Sequence, residues 1–570
     1  MVGAEISIAG PTAGGSDLTQ GPDPTQAKTR EQKRIKEVKM FEHAGLIEPE
    51  NEPYLYKTDP RFTADLRREL ERFEYDREVH SIIDGRQVEG AGAELISREP
   101  CNHKKVIART KTVTPEQAKR AVEAALAAKE GWEDQPPLAR AQVFWRAAQI
   151  LKERRAEVVA TTMKEVGKTA LEAEADFAEM IDFLMFNPYW ALTFIYPLQP
   201  EAVPGETNIA TWRPLRGFVL AITPWNFPLA IGTNLPTAPA IMGNTVVWKP
   251  SSDAVAISHL VMEALLEAGL PPGVINLVYG SGSVVGEELL KHPDLGGVHF
   301  TGSLEVGRRL YQTGAANLER GFPRIVAECG GKDFLFALPD ADLDSLVWAI
   351  VAGGYGYQGQ KCSACSRSYI PESIWPKVRE GLIAKLEVLK VGDVSDLDVE
   401  VDMGAVINEA SWEKINGYIE QARESDTCEI LYERKADKSR GYYIGPVLIR
   451  VEDHSHPVMQ EEIFGPVHAV FVYPDDKLDE TLDLCRSSGF ALTGSIYGTD
   501  VTRITYVHRR LVHAAGNLYI NDKCTGAMVG RQWFGGDGWS GTNDKAGSPF
   551  HLLRWVSPAV TKWVSRPRVA

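Results

Sequence analysis

Residues 358–367 read Gln358-Gly359-Gln360-Lys361-Cys362-Ser363-Ala364-Cys365-Ser366-Arg367. One thiol stands among small residues, directly after a lysine. A thiolate is a strong nucleophile, and a cationic neighbour helps to form it. Cys362 is therefore a candidate to attack a carbonyl carbon. Two other readings stand beside it. Cysteine is often a small buried apolar residue, and Cys362 with Cys365 makes a C-x-x-C pair. Neither a second C-x-x-C nor an H-x3-5-H accompanies that pair, as a zinc set would require, so no metal is expected.

Other residues have the types such chemistry needs. Asn226, between Pro224 and Pro228 in Thr223-Pro224-Trp225-Asn226-Phe227-Pro228, could present its amide to developing oxyanion charge, or only stabilise its own turn. Glu328, closing an apolar run before Gly330-Gly331, could activate a water from a partly dry site; the alternative is an ion pair with Lys332. The turns Gly280-x-Gly282-x3-Gly286 and Gly302-x4-Gly307 each open a helix after a strand, where backbone N–H groups favour anions. Neither matches the G-x-G-x-x-G dinucleotide fingerprint. In Glu461-Glu462-Ile463-Phe464, a carboxylate could grip ribose hydroxyls and a ring could support a nicotinamide.

These positions need a frame. Short apolar runs at 217–222, 245–248, 274–278, 298–300 and 324–327 alternate with helical segments near 229–241, 253–268, 283–291 and 304–315. Apolar strands joined by helical crossovers predict a parallel sheet covered on both faces, with ligands beyond the carboxyl ends of its strands. Thr223–Phe227, Lys249–Ser252, Gly280–Gly286 and Thr301–Ser303 fall there. A second alternation predicts a strand at 333–338, a helix at 343–357 whose 348–357 stretch is buried, Cys362, a strand at 367–371 and a helix at 373–389. Upstream, helices are expected from 60 onward. One starts at Thr114-Pro115 and ends at Gly131, and a long helical region over 139–186 breaks near Gly167. Residues 1–27 read as disordered and 28–45 as a charged docking helix.

The 570 residues suggest two or three domains, and 44% hydrophobic with 24% charged residues fits a globular protein. A net charge of −15 disfavours nucleic acid and anionic membrane as partners. The apolar stretch 217–248 holds four prolines and three asparagines, unlike a membrane span. Seven scattered cysteines suit free thiols in a reducing compartment. A cytoplasmic location is expected, with the mitochondrial matrix as the alternative for a eukaryotic source.

Asn226, Lys249, Gly302-Ser303, Glu328, Cys362 and Glu462-x-Phe464, in this order, resemble the signature series of the aldehyde dehydrogenase superfamily over roughly residues 60–560. The resemblance implies an α/β fold: a Rossmann-type cofactor domain, an α/β catalytic domain and a small oligomerisation flap. On this chain the divisions are an arm over 1–50, the cofactor domain over 51–328 with a flap hairpin at about 190–214, the catalytic domain over 329–522, and an anchor loop with a C-terminal tail over 523–570. It further implies that Cys362 forms a thiohemiacetal and then a thioester, that Asn226 holds the oxyanion, and that Glu328 activates the hydrolytic water. Lys249 and Ser252 would hold the adenine ribose, Trp225 and Ser303 the pyrophosphate, and Glu462 the nicotinamide ribose. Thr223, Pro224, Gly282, Gly286, Thr301, Gly302, Gly330 and Phe464 complete the cofactor set. The cofactor is NAD, with NADP as the alternative, because Ser252 stands where many NAD-selective relatives carry a glutamate. A homodimer or higher homo-oligomer is implied.

Ile520–Ala527, 529–536 and 540–545 resemble one branch of that family, whose small-molecule substrate is L-glutamate 5-semialdehyde, in the second step of proline catabolism. Ser363 and backbone N–H groups at Cys524, Gly526 and Ala527 would then anchor the α-carboxylate, and Lys361 would add positive charge. Glu174 would face the ammonium, and Phe227 and Phe534 would clamp the chain. Cys524 replaces the serine of mammalian-type relatives. A proline dehydrogenase is a candidate partner. Oxidation of another small polar aldehyde, or a CoA-acylating reaction, is the alternative.

Overall fold

Each of the five apolar runs between 217 and 328 forms a strand of one sheet in the computed structural model, which describes residue 46 and residues 48–564. The expected disorder over 1–27 and helix over 28–45 lie outside the described residues. The sheet order is Arg324–Glu328, Leu295–Thr301, Phe218–Ile222, Val246–Lys249, Ile275–Leu277, Ser81–Ile83, Arg86–Val88; the first five strands are parallel. Alternate side chains go to opposite faces. Val219 and Ala221 join a core formed with the helices Pro137–Glu153, Ala170–Trp190 and Val255–Glu267, while Phe218, Leu220 and Ile222 join another with Pro115–Glu133. From Phe218–Ile222 the chain winds outward through two strands, then returns to lay Leu295–Thr301 on its other side. That reversal opens a crevice beyond the carboxyl ends of these two neighbours.

A second seven-stranded sheet runs Cys428–Glu433, Val447–Val451, Val467–Tyr473, Cys365–Pro371, Asp333–Ala337, Thr493–Tyr497, Asn517–Ile520, parallel except for its first pair. Both sheets belong to one compact unit that begins at Glu50.

Several expectations need correction. Residues 77–111 form strands, not helices: Ser81–Ile83 and Arg86–Val88 extend the first sheet, and Glu94–Glu99 pairs with Asn102–Lys111. Their charged, largely exposed faces hide the period-2 signal. The helix Pro115–Glu133 runs through Gly131, where the surroundings are open and glycine costs only about 1 kcal/mol of propensity. Trp348, within Leu343–Tyr355, is half exposed rather than buried. The flap segment expected as a hairpin at about 190–214 pairs with the C-terminal tail, Glu206–Pro214 against Val556–Val564, antiparallel from Glu206↔Val564 to Pro214↔Val556. A break at Gly167 (φ 70°) does separate Arg155–Val166 from Ala170–Trp190.

Candidate active site

Cys362 stands in the turn between the helix Leu343–Tyr355 and the strand Cys365–Pro371. That turn passes through three consecutive left-handed residues, Tyr357 (φ 51°), Gln358 (φ 55°) and Gly359 (φ 66°). Such a conformation persists only where the surroundings over-determine it. Here Tyr357 Oη donates to Val166 O (2.9 Å), and Gln358 Nε2 donates to Gly167 O (3.0 Å) and Ala405 O (2.9 Å). Gln360 Oε1 accepts from Ile407 N (2.9 Å), and Gln360 O accepts from Asn226 Nδ2 (3.2 Å). The buried Asn226 amide is thus tied to the loop that carries Cys362.

The C-x-x-C reading fails. Cys365 is fully buried, its thiol donating to Arg367 O (3.7 Å) and hydrogen-bonded with Cys524. Cys362 instead lines two cavities at once, of about 170 and 270 Å³. Burial, then Asp333, Glu328, Glu462 and Glu179, hold the Cys362 thiol well above its ordinary range; burial lowers Lys361, against smaller pulls from Glu172 and from Cys362 itself.

The larger cavity occupies the crevice between the two central strand ends. Pro224, Trp225 and Asn226 follow one strand; Thr301, Gly302 and Ser303 follow its neighbour; Gly330, Glu462 and Phe464 face them. Phe464 (φ 61°) meets Trp225 edge-on at 5.5 Å. Glu462 Oε1 accepts from Gly331 N (3.2 Å), and burial raises this carboxyl to about 7 against the opposing pull of Lys414. A Cβ on Gly330 would overlap the Glu462 carboxylate, so any other residue here would push that carboxylate from its present place. Five expected cofactor residues lie outside this cavity. Thr223 Oγ1 is occupied by Trp248 Nε1 (3.0 Å), and Lys249 is buried with its Nζ donating to Pro250 O (2.9 Å), its pKa lowered to about 8 by burial. Ser252 is exposed, and Gly282 and Gly286 bound a short π-helical turn. Lys414, whose Nζ donates to Glu462 O (2.9 Å), was not anticipated.

The smaller cavity brings together Cys362, Glu328, Phe227, Phe534, Lys361, Ser363, Gly526 and Ala527. Gly536 N donates to both oxygens of Glu328 at 3.3 Å, and burial raises that carboxyl well above its usual range. No Glu328–Lys332 pair forms: Lys332 Nζ has no hydrogen-bond partner among the described residues. Ser363 Oγ hydrogen-bonds Thr525 Oγ1 (2.8 Å).

The Cys524 side chain turns into the core, donating to Ser363 O at 3.6 Å, which leaves only its backbone for the expected anchor. One expected substrate contact is corrected. Glu174 is fully buried behind the cavity wall, paired with Arg155 Nε (2.5 Å) and accepting from Tyr56 N (2.8 Å). From the helix that carries Glu174, the carboxylates that do line the cavity are Glu179 and Asp182. Glu179 is raised to about 8 by burial and by Asp176, against the pull of Lys168, and Asp182 to about 6 by burial. Acids held this high are short of positive charge. Glu174 and Glu179 lie five residues apart, about 140° round a helix; five acids crowd this segment, and helical phase alone would have separated them. His299, Asp544 and His551 also line this cavity, with no spacing signal in the sequence.

The sequence profile of the aldehyde dehydrogenase family matches residues 88–557. The mitochondrial delta-1-pyrroline-5-carboxylate dehydrogenase of Dictyostelium discoideum is 44% identical over 534 residues, 92% of this chain and 94% of that protein. Its human counterpart is 42% identical over 533 residues, again 92% and 94%. A crystal structure of the Mycobacterium tuberculosis delta-pyrroline-5-carboxylate dehydrogenase bound with NAD aligns with a TM-score of 0.87 at 40% identity, covering 92% of this chain and 97% of that one.

Proposed function

The chain belongs to the aldehyde dehydrogenase family, and from that premise we propose that it oxidises L-glutamate 5-semialdehyde to L-glutamate with NAD as acceptor, the second step of proline catabolism. One observation carries the reading: a single thiol, Cys362, faces both cavities, so it can hold a carbonyl carbon from one while a hydride acceptor is presented from the other. The larger cavity fits a nicotinamide ribose, because Gly330 leaves room for the Glu462 carboxylate, which accepts hydroxyl hydrogens. When bound there, NAD+ supplies the hydride acceptor and a positive charge beside a thiol crowded by carboxylates.

The protein's residues then act as follows. Phe227 and Phe534 clamp the aliphatic chain, Ser363, Thr525 and the backbone at Gly526 and Ala527 receive the α-carboxylate, and Glu179 takes the ammonium. Cys362 adds to the aldehyde carbon, and the Asn226 amide donates to the oxygen on which charge develops. After oxidation to the thioester, Glu328 takes a proton from the attacking water, and the acid leaves. Glu328 in the substrate cavity favours hydrolysis over transfer to CoA.

We read the pair Glu206–Pro214 and Val556–Val564 as a homo-oligomer contact, supported by exposed Ile209, Val560 and Trp563. All seven cysteines are free thiols, which supports a reducing compartment: the cytoplasm as first reading, the mitochondrial matrix as second. Among the described residues no helix is long and apolar enough to cross a membrane. A proline dehydrogenase would supply the substrate. The test is NADH formation by purified protein with a panel of aldehydes and both nicotinamide cofactors. Glutamate semialdehyde with NAD should give the highest kcat/KM; a plain aliphatic aldehyde matching it would reject the assignment.

A further inference from the structure

Two histidines, His299 and His551, line the cavity that holds Glu328. Thr301 pairs with Glu328 across neighbouring parallel strands, and His299 pairs with Val326. Residues two apart on a strand share a face, so His299, Thr301, Val326 and Glu328 present one wall, and all four line the smaller cavity. Two residues of strand rise about 6.6 Å. His299 thus stands on that wall one alternation from Glu328, diagonally across the strand pair.

The polarity of this part of the cavity is unusual for its burial. His299 Nδ1 lies 2.8 Å from Leu235 O, an acceptor only, so Nδ1 carries the proton and Nε2 is left to accept. The His551 ring centroid stands 4.9 Å from that of His299. His551 is 2% exposed, and among the described residues neither of its ring nitrogens has a hydrogen-bond partner of ordinary geometry. A buried donor and a buried acceptor left unmet are costly, and a polar cavity answers them with water.

We infer that His299 and His551 are positioning residues that hold water against Glu328 for hydrolysis of the Cys362 thioester, an inference that rests on the function proposed above. Burial, then repulsion from His551, pushes His299 well below the usual imidazole range. Burial and Arg554 lower His551 to about 4, against a smaller pull from the Asp544 backbone. Both rings are therefore neutral at pH 7. Neutral His299 can orient water through its Nε2 acceptor, and neutral His551 through one donor and one acceptor, without a charge that would pair with Glu328 and quench it as a base. In the step they serve, water oxygen bonds to the thioester carbon and its proton passes to Glu328. The C–S bond then breaks with its electrons on sulfur, and one water is consumed per acid released. Leu235, Val326 and Phe183 make apolar patches of the same cavity, while Asp544 and Lys545 are its other polar groups that act on Glu328.

The test is stopped-flow NADH formation with glutamate semialdehyde and saturating NAD, comparing the parent enzyme with H551F and H551Q. H551F should keep a burst of about one NADH per active site at the parent rate. Its steady-state turnover should fall roughly tenfold to a hundredfold, as when a partner behind a reacting group is removed. H551Q, which keeps a donor and an acceptor, should recover most of that loss. H299L repeats the comparison if H551F does not fold. Parental turnover in H551F and H299L, an equal fall of burst and steady state, or H551Q no better than H551F would each overturn the inference. A parent enzyme that forms no NADH from this aldehyde would overturn the proposed function beneath it.

Discussion

The two cavities that meet at Cys362 are built in opposite ways. The cofactor-side cavity gathers the ends of two adjacent strands, a glycine pair and one buried acid, all within or beside a parallel sheet. The substrate-side cavity draws on the helix Ala170–Trp190, the strands ending at Thr301 and Glu328, and residues 525–551, pieces hundreds of positions apart. The first is a consequence of topology, since a strand-order reversal opens a crevice whatever the side chains. The second is a composition of individually placed charges. The contrast separates what the fold provides from what selects one aldehyde.

Substitutions can break that contrast on either side. The largest effect falls where the sides join. Cys362→Ala should lower aldehyde oxidation by roughly 10⁴-fold or more, as losses of covalent nucleophiles do, while NAD binding followed by fluorescence stays at the parent affinity. Glu328→Gln should spare hydride transfer and impede hydrolysis, giving an NADH burst and then turnover slowed by about 10²–10³-fold; a linear trace would remove Glu328 from that role. On the cofactor side, Gly330→Ala should displace the Glu462 carboxylate and raise KM for NAD by about tenfold, with KM for the aldehyde unmoved. On the substrate side, Glu179→Gln should raise KM for glutamate semialdehyde by roughly five- to tenfold and leave a simple aliphatic aldehyde unaffected. The pH profile sharpens that last test. With its carboxyl near pKa 8, Glu179 is mostly protonated below pH 8 and gains charge above it. Ammonium recognition should therefore strengthen between pH 7 and 9 in the parent and not in Glu179→Gln.

What could be read in the chain follows the same division. Trp225, Ser303, Glu462 and Phe464, which line the larger cavity, sit at strand ends or in a motif, so local pattern could single out their positions while the resemblance supplied their proposed roles. Lys249 and Thr223 occupy strand ends too, yet their polar atoms turn to the neighbouring chain at Pro250 and Trp248, a choice made by packing that no spacing reveals. On the substrate side, Glu174 and Glu179 are chemically identical, and only helical phase against Arg155 decides which one is spent on structure. His299 lies inside an apolar strand and His551 near the chain's end; their meeting exists only in three dimensions. The strands at 77–111 escaped because their exposed faces are charged and because sheet edges tolerate such residues.

The left-handed run at Tyr357, Gln358 and Gly359 has a further consequence. Its shape is dictated by carbonyls at Val166, Gly167 and Ala405, which come from segments far away in the chain on either side. Until those segments have docked, nothing holds the thiol's loop open toward both chambers. A partly assembled chain would carry the cysteine and lack the reaction, so the recovery of turnover after dilution from denaturant marks the last long-range contacts to close rather than the first.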